Sequence, residues 1–258
     1  MATKEIYIVP KDKAYLQSER EHTLFLNQGT ATAEQLSEPG YDERGGWYVH
    51  GSDAIDYEES FTAVLPRTKP LIKVMREIGS HPNAAVLDLM ASDAYVREAV
   101  EQYGFEFGLA VSLGFQQSPE RPERGVVRTV NGDLLRSDTW DQIRDTIHRR
   151  GIKGFDLIIS RPEGGISNIS LLAATHFRLL QEAWRLLSSE DGIMLFQAPN
   201  ATFKKFGVPY LEQLQHSGVA HVVYSDFGTQ ARAHPVKLVK TKLSPEILPT
   251  PKMLGIQP

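Results

Sequence analysis

The chain has 258 residues, 41% of them hydrophobic, which is enough to bury one large core or one core with a small appendage. A formal net charge of -4 and a pI near 6.1 give no global attraction to nucleic acid, and the absence of cysteine excludes disulfides, thiolate metal ligands and a cysteine nucleophile. The opening stretch "MATKEIYIVPKDKAYLQSEREH" is too charged for a signal peptide and no apolar run approaches the roughly 18 residues of a membrane span, so a soluble, cytoplasmic protein without a membrane partner is expected.

The first part of the chain is polar. "NQGTATAEQLSEPGYDERGGWYVHGSDAIDYEES" is rich in glycine and acidic residues with weak periodicity, and "TKPLIKVMREIG" then reads as a helix. The apolar residues here, among them Trp47, Tyr48, Phe61, Leu65, Leu71 and Met75, are too few for a separate core. Residues 1–80 are therefore expected to be an extension or lid packed on a main domain over 81–245. Within it, "GGWYVHG" has two readings: aromatic residues that stack on a substrate ring or close a lid, or residues that pack the extension onto the sheet.

After Pro82 short apolar strand candidates alternate with helical stretches: "AAVLDL", "DAYVREAVEQYG", "FGLAVSL", an exposed loop "SPERPERG", "VVRTVNGD", "SDTWDQIRDTIHRRG", "FDLIIS", "NISLLAATHFRLLQEAWRLL" and "GIMLFQAP". Alternation of this kind predicts parallel strands joined by helical crossovers. A helix at "VPYLEQLQHSG" and a strand at "AHVVYSDF" follow, with a last strand at "VKLVKTKLS". The connection between those two strands is too short for a crossover, so the strand from Val236 to Ser244 should run antiparallel between its neighbours. The tail 246–258 is proline-rich and reads as irregular.

The stretch "NAAVLDLMASDAYVREAV" has the layout of a nucleotide-type cofactor site: an apolar run, an aspartate, a small-residue loop and an amphipathic helix. With this stretch and the element order, the run from Ala84 to Ser244 resembles the class I S-adenosylmethionine-dependent methyltransferases. The resemblance covers about two thirds of the chain and goes no narrower than the superfamily. It implies an α/β fold: a Rossmann-like, seven-stranded, mostly parallel sheet with a C-terminal antiparallel hairpin, flanked by helices. It implies S-adenosylmethionine as cofactor, with contacts at Asp88, Met90, Ala91, Ser92, Ser112, Asp133, Leu134 and Ser160.

The match departs from the family pattern at identifiable places. Asp88 stands at the acidic position ending strand one, but Met90, Ser92 and Ala94 fall where the family has glycines that let the backbone approach the ligand. Ser92 or Asp93 has a second reading, as the cap of the following helix. Ser112 stands where the family has a ribose-binding carboxylate and offers one hydrogen bond without charge. Asp133 matches the family's adenine-side carboxylate, and is equally a turn residue after Asn-Gly. After strand four, Ser160, Arg161, Pro162 and Glu163 replace the amine acceptor and aromatic platform of base-amine methyltransferases, which counts against that chemistry. Arg161 can hold an anionic group and Glu163 can act as general base, or "RPEGG" is a solvated turn.

His50, His81, His216, His221 and His234 have no short helical spacing, so no metal is expected. His176 and Trp184, two turns apart on one helix, read as a shared packing face. Three functions fit. One is methyl transfer to an unidentified small-molecule or nucleic-acid acceptor. A second is a catalytically silent module binding a partner protein or RNA. The third is the same fold turned to non-methylating chemistry.

Overall fold

A strand buried on both faces reads as a continuous apolar run, and "AVLDL" and "LIIS" are such runs at the centre of the sheet. The computed structural model describes residues 53–89, 93–112, 125–132, 134, 136–160, 173–189, 191–199, 207–225 and 233–256. Helices α1 (Ala54–Phe61) and α2 (Leu71–Gly79) precede β1 (Ala85–Leu89), which is followed by α3 (Ala94–Tyr103), β2 (Phe107–Ser112) and β3 (Val126–Asn131). Then come α4 (Ser137–His148), β4 (Leu157–Ser160), α5 (Ala173–Leu186), β5 (Ile193–Pro199), α6 (Val208–His216), β6 (Ala220–Tyr224) and β7 (Ala233–Lys240).

These strands form one seven-stranded sheet in the order β3-β2-β1-β4-β5-β7-β6. The pairs among β1 to β5 are parallel, and β7 runs antiparallel between β5 and β6. That is the Rossmann-like sheet and hairpin expected from the sequence. The last strand is Ala233–Lys240, however, and does not extend from Val236 to Ser244. Thr241 ends it: its hydroxyl donates to the Gly218 carbonyl, and the Ser244 hydroxyl donates to Val219, closing a turn.

Strand alternation sends residues to two cores. Val86, Ile159 and Leu195 pack with Tyr57, Phe61, Leu71, Met75, Tyr95 and Val96, so α1, α2 and α3 cover one face. Leu87, Leu109 and Ile158 pack with Trp140, Ile143, Trp184 and Tyr210, so α4, α5 and α6 cover the other. At the end of α3, Gly104 adopts φ 89°, the left-handed C-cap that residues with a Cβ avoid. The turn then redirects the chain into β2.

Helix α1 is not legible as periodicity, because only eight residues form it. Capping and tertiary contacts define it instead. The Asp53 carboxylate accepts from the Ile55 and Asp56 amides, and Glu98 of α3 accepts from the Ala54 amide at 2.8 Å. The proline-rich tail is docked as well as irregular. Its Pro245, Leu248 and Pro249 carbonyls accept from Trp184, Gln181 and Tyr210, and Pro251–Leu254 is a 3-10 turn. Among the described residues no helix is long and apolar enough to cross a membrane.

Lys240, at the end of β7, is buried against the Trp184 ring and donates to the Leu187 carbonyl at 2.8 Å. Burial pulls its pKa down from 10.5 to about 8, against the opposing charge of Glu246. The unfolded chain therefore holds more protons between those values, and stability from this group rises as pH climbs through that window. Urea melts at pH 7.5 and 10 are expected to show the parent gaining on the order of 1 to 2 kcal/mol relative to Lys240→Met, after discounting for solvent screening. An equal pH dependence in the two proteins would contradict this.

Candidate functional site

The crossover from β1 through α3 leaves on one face of the sheet, and α5, which follows β4, packs on the other. The β1 and β4 connections therefore diverge at the carboxyl ends of these neighbouring strands, and an open α/β sheet binds ligands in the crevice this creates. The register brings the ends level: Leu89 pairs with Val111 and with Ser160, and Ser112 pairs with Asn131.

Asp88 lies one residue before this edge, on the α1 to α3 face, and is fully buried. A carboxylate there needs partners. The Tyr57 hydroxyl from α1 donates to it, lying 2.9 Å from Oδ1 and 2.8 Å from Oδ2. Tyr95 packs edge-on against Tyr57 with ring centroids 4.6 Å apart, and its hydroxyl reaches the Met75 sulfur at 3.3 Å. Burial, and next the charge of Asp88, hold the Tyr95 phenol well above its ordinary pKa of 10.0. The Tyr95 phenol therefore stays protonated through neutral pH. Glu98 extends the polar contacts, accepting from Tyr103 as well as from the start of α1.

At the start of α3 the structure decides the Asp93 half of the capping alternative, Ser92 lying outside the described residues. Asp93 occupies the N-cap position, but its side chain caps no backbone amide. Its carboxylate instead pairs with Arg97 at 2.7 Å, because the Arg97 charge one turn on is a stronger partner than a neutral amide. Beyond β3, a Cβ on Gly132 would lie 2.6 Å from the Thr139 hydroxyl, so glycine permits this close approach of the turn to α4. Leu134 is held twice over: its side chain is buried in the core, and its carbonyl accepts from the Trp140 indole at 2.8 Å.

Of the residues singled out from sequence, Asp88, Ser112, Leu134 and Ser160 thus lie along one edge of the sheet, at the ends of β1, β2, β3 and β4. The side chain of Ser112 lies outside the description, as do Met90, Ala91, Ser92, Asp133, Arg161, Glu163 and the "GGWYVHG" stretch. Trp184 is buried, whereas the side chain of His176 is outside the described residues. No group of three acidic or histidine residues suited to a metal occurs among the described residues. Two residues at this edge went unmarked in the sequence. Tyr57 gave no signal of its own, while Gln197 was visible as the polar residue inside the apolar strand "GIMLFQAP".

No family model matches the chain, and no curated protein matches it. Among solved structures it is similar to an O-methyltransferase from Bacillus cereus in complex with SAH, at 12% identity over 91% of this chain and 93% of that one, with a TM-score of 0.39. It is similar to the human methyltransferase 10 domain containing protein, at 12% identity over 90% of this chain and all 100% of the other, with a TM-score of 0.42. A third is the ribosomal protein L11 methylase from Lactobacillus delbrueckii subsp. bulgaricus, at 14% identity over 66% and 76% of the two chains and a TM-score of 0.31. The fold is carried by this chain's own strands, in the order β3-β2-β1-β4-β5-β7-β6 with β7 reversed: a seven-stranded, mostly parallel, Rossmann-like sheet closed by an antiparallel hairpin.

Proposed function

We propose that this chain is an S-adenosylmethionine-dependent methyltransferase, its cofactor lying across the carboxyl ends of β1, β2 and β3 and its methyl acceptor beside β4 and β5. The observation that carries the reading is the level row of strand ends at the switch between β1 and β4. The residues there fit such a cofactor in part. The Asp93 side chain is turned to Arg97 and takes no amide of α3, and the β3 to α4 turn is braced by Trp140. Met90, Ala91, Ser92 and Ser112 would border the methionine and ribose portions, with Asp133 and Leu134 on the adenine side.

When bound, the cofactor supplies a methyl group already activated by its sulfonium. The chain's task is then alignment and exclusion of water. Arg161 would hold an anionic group of the acceptor and Glu163 would take its proton. The acceptor is a small molecule or a nucleic acid, and a cytoplasmic location belongs to the same reading.

A second reading, a catalytically silent module that binds a protein or RNA partner, draws on one observation: the Asp88 carboxylate is already occupied by Tyr57. Calorimetry separates the two. Met90→Gly with Ser112→Asp removes a side chain from the loop and adds a charge-assisted hydrogen bond of about 1 to 3 kcal/mol, so S-adenosylmethionine should bind about tenfold tighter than to the parent. Absence of binding to both folded proteins would favour the silent module.

A further inference from the structure

Gln197 is a polar residue that the fold leaves unused. Its side chain is 2% exposed, and neither its Oε1 nor its Nε2 has a hydrogen-bond partner among the described residues. Its place explains little by itself. Leu195, two residues earlier, packs in the cluster of Tyr57 and Val86, so Gln197 faces the α1 to α3 side of the sheet. Ser160 ends β4 and pairs with Phe196, which puts Gln197 one residue past the end of β4, at the edge where the crevice opens. Its opposite number on β7 is Pro235, which has no N–H to offer.

Leaving a buried amide without partners is costly, and native interiors hold few such groups. Other β5 residues on this face are Ile193 and Leu195, so an apolar side chain of similar size would suit the strand better. We propose that the Gln197 carboxamide recognises the methyl acceptor, pairing with a planar group that carries a hydrogen-bond donor beside an acceptor. A carboxamide or the amino edge of a nucleobase has this pattern, and a glutamine amide presents its complement in one plane. The amide is neutral, so it selects such an edge over a carboxylate or phosphate. This inference rests on the methyltransferase reading.

The test uses the full-length protein labelled with nitrogen-15, with S-adenosylhomocysteine at saturation so that its own adenine site is filled. The Gln197 side-chain resonances are assigned by their loss in Gln197→Met. Adenine and nicotinamide, each at millimolar concentration, are the probes. A shift of those resonances with adenine alone identifies a nucleobase edge, and a shift with nicotinamide identifies a carboxamide. Gln197→Met is expected to raise Tm by about 2 to 4 °C while weakening binding of the active probe by about tenfold or more. Gln197→Glu, which keeps the size but replaces the amide's two N–H donors with a carboxyl group, should weaken it as well. Resonances that neither probe moves, or a Gln197→Met protein that binds the probe as the parent does, would overturn the inference. Calorimetric binding of S-adenosylhomocysteine, expected to be equal in parent and Gln197→Met, reports on the cofactor reading separately.

Discussion

A chain beginning at Pro82 is expected to be recovered insoluble, or soluble but without a cooperative melting transition. Removing the segment takes Tyr57, Phe61, Leu71, Val74 and Met75 out of the core on one face of the sheet. It leaves Val86, Tyr95, Val96, Ile159 and Leu195 uncovered beneath them. Burying one large apolar side chain stabilises by about 1.5 to 3 kcal/mol, so losing several together approaches the roughly 5 to 15 kcal/mol by which a whole domain is stable. The same cut removes the hydroxyl on Asp88, leaving a buried carboxylate short of a donor. Solubility and a thermal melt of residues 82–258 check this. A truncated protein as soluble and as stable as the full chain would show that α1 and α2 are dispensable covers.

Tyr57→Phe is expected to lower the stability of the full chain by about 1.5 to 3 kcal/mol, the range for a hydrogen bond to a charged group. The ring stays, still packed against Tyr95 and stacked near Phe61, so the loss isolates the hydroxyl. Tyr57→Ala should cost more, about 4 kcal/mol or above, because it adds a cavity the size of the ring. Asp88→Asn in the Tyr57→Phe background should recover part of the loss, since a neutral amide is less costly to bury than a carboxylate. Urea denaturation of the parent, Tyr57→Phe, Asp88→Asn and the double variant forms a double-mutant cycle. Additive effects of the two positions would mean that Tyr57 and Asp88 are not coupled and that the 2.8 Å contact contributes nothing.

The sheet was readable because its central strands announce themselves. "AAVLDL", "FDLIIS" and "GIMLFQAP" are apolar runs separated by helical lengths of chain, and the short link before the last strand ruled out a crossover there. The strand ends at Asp88, Ser112 and Ser160 followed from the same pattern. Helix α1 was not readable, because eight residues give two turns and its stability comes from Glu98 and Asp88, far along the chain. A sequence shows that Asp88 needs a partner; it does not show that the partner lies 31 residues upstream. Asp93 shows the converse limit: its residue type suits a helix cap, and the proximity of Arg97 decided otherwise. The roles proposed for Arg161 and Glu163 come from the sequence pattern "RPEGG".

Methyl transfer itself is the most direct measurement. Purified full-length chain, incubated with methyl-labelled S-adenosylmethionine and a cell extract, is expected to place label on one acceptor fraction, with an equal stoichiometry of S-adenosylhomocysteine released. The transfer should fall in the Gln197→Met protein and vanish with heat-denatured chain. A folded protein that binds S-adenosylmethionine by calorimetry yet releases no S-adenosylhomocysteine with protein, nucleic-acid or small-molecule fractions would contradict the assignment of methyl transfer.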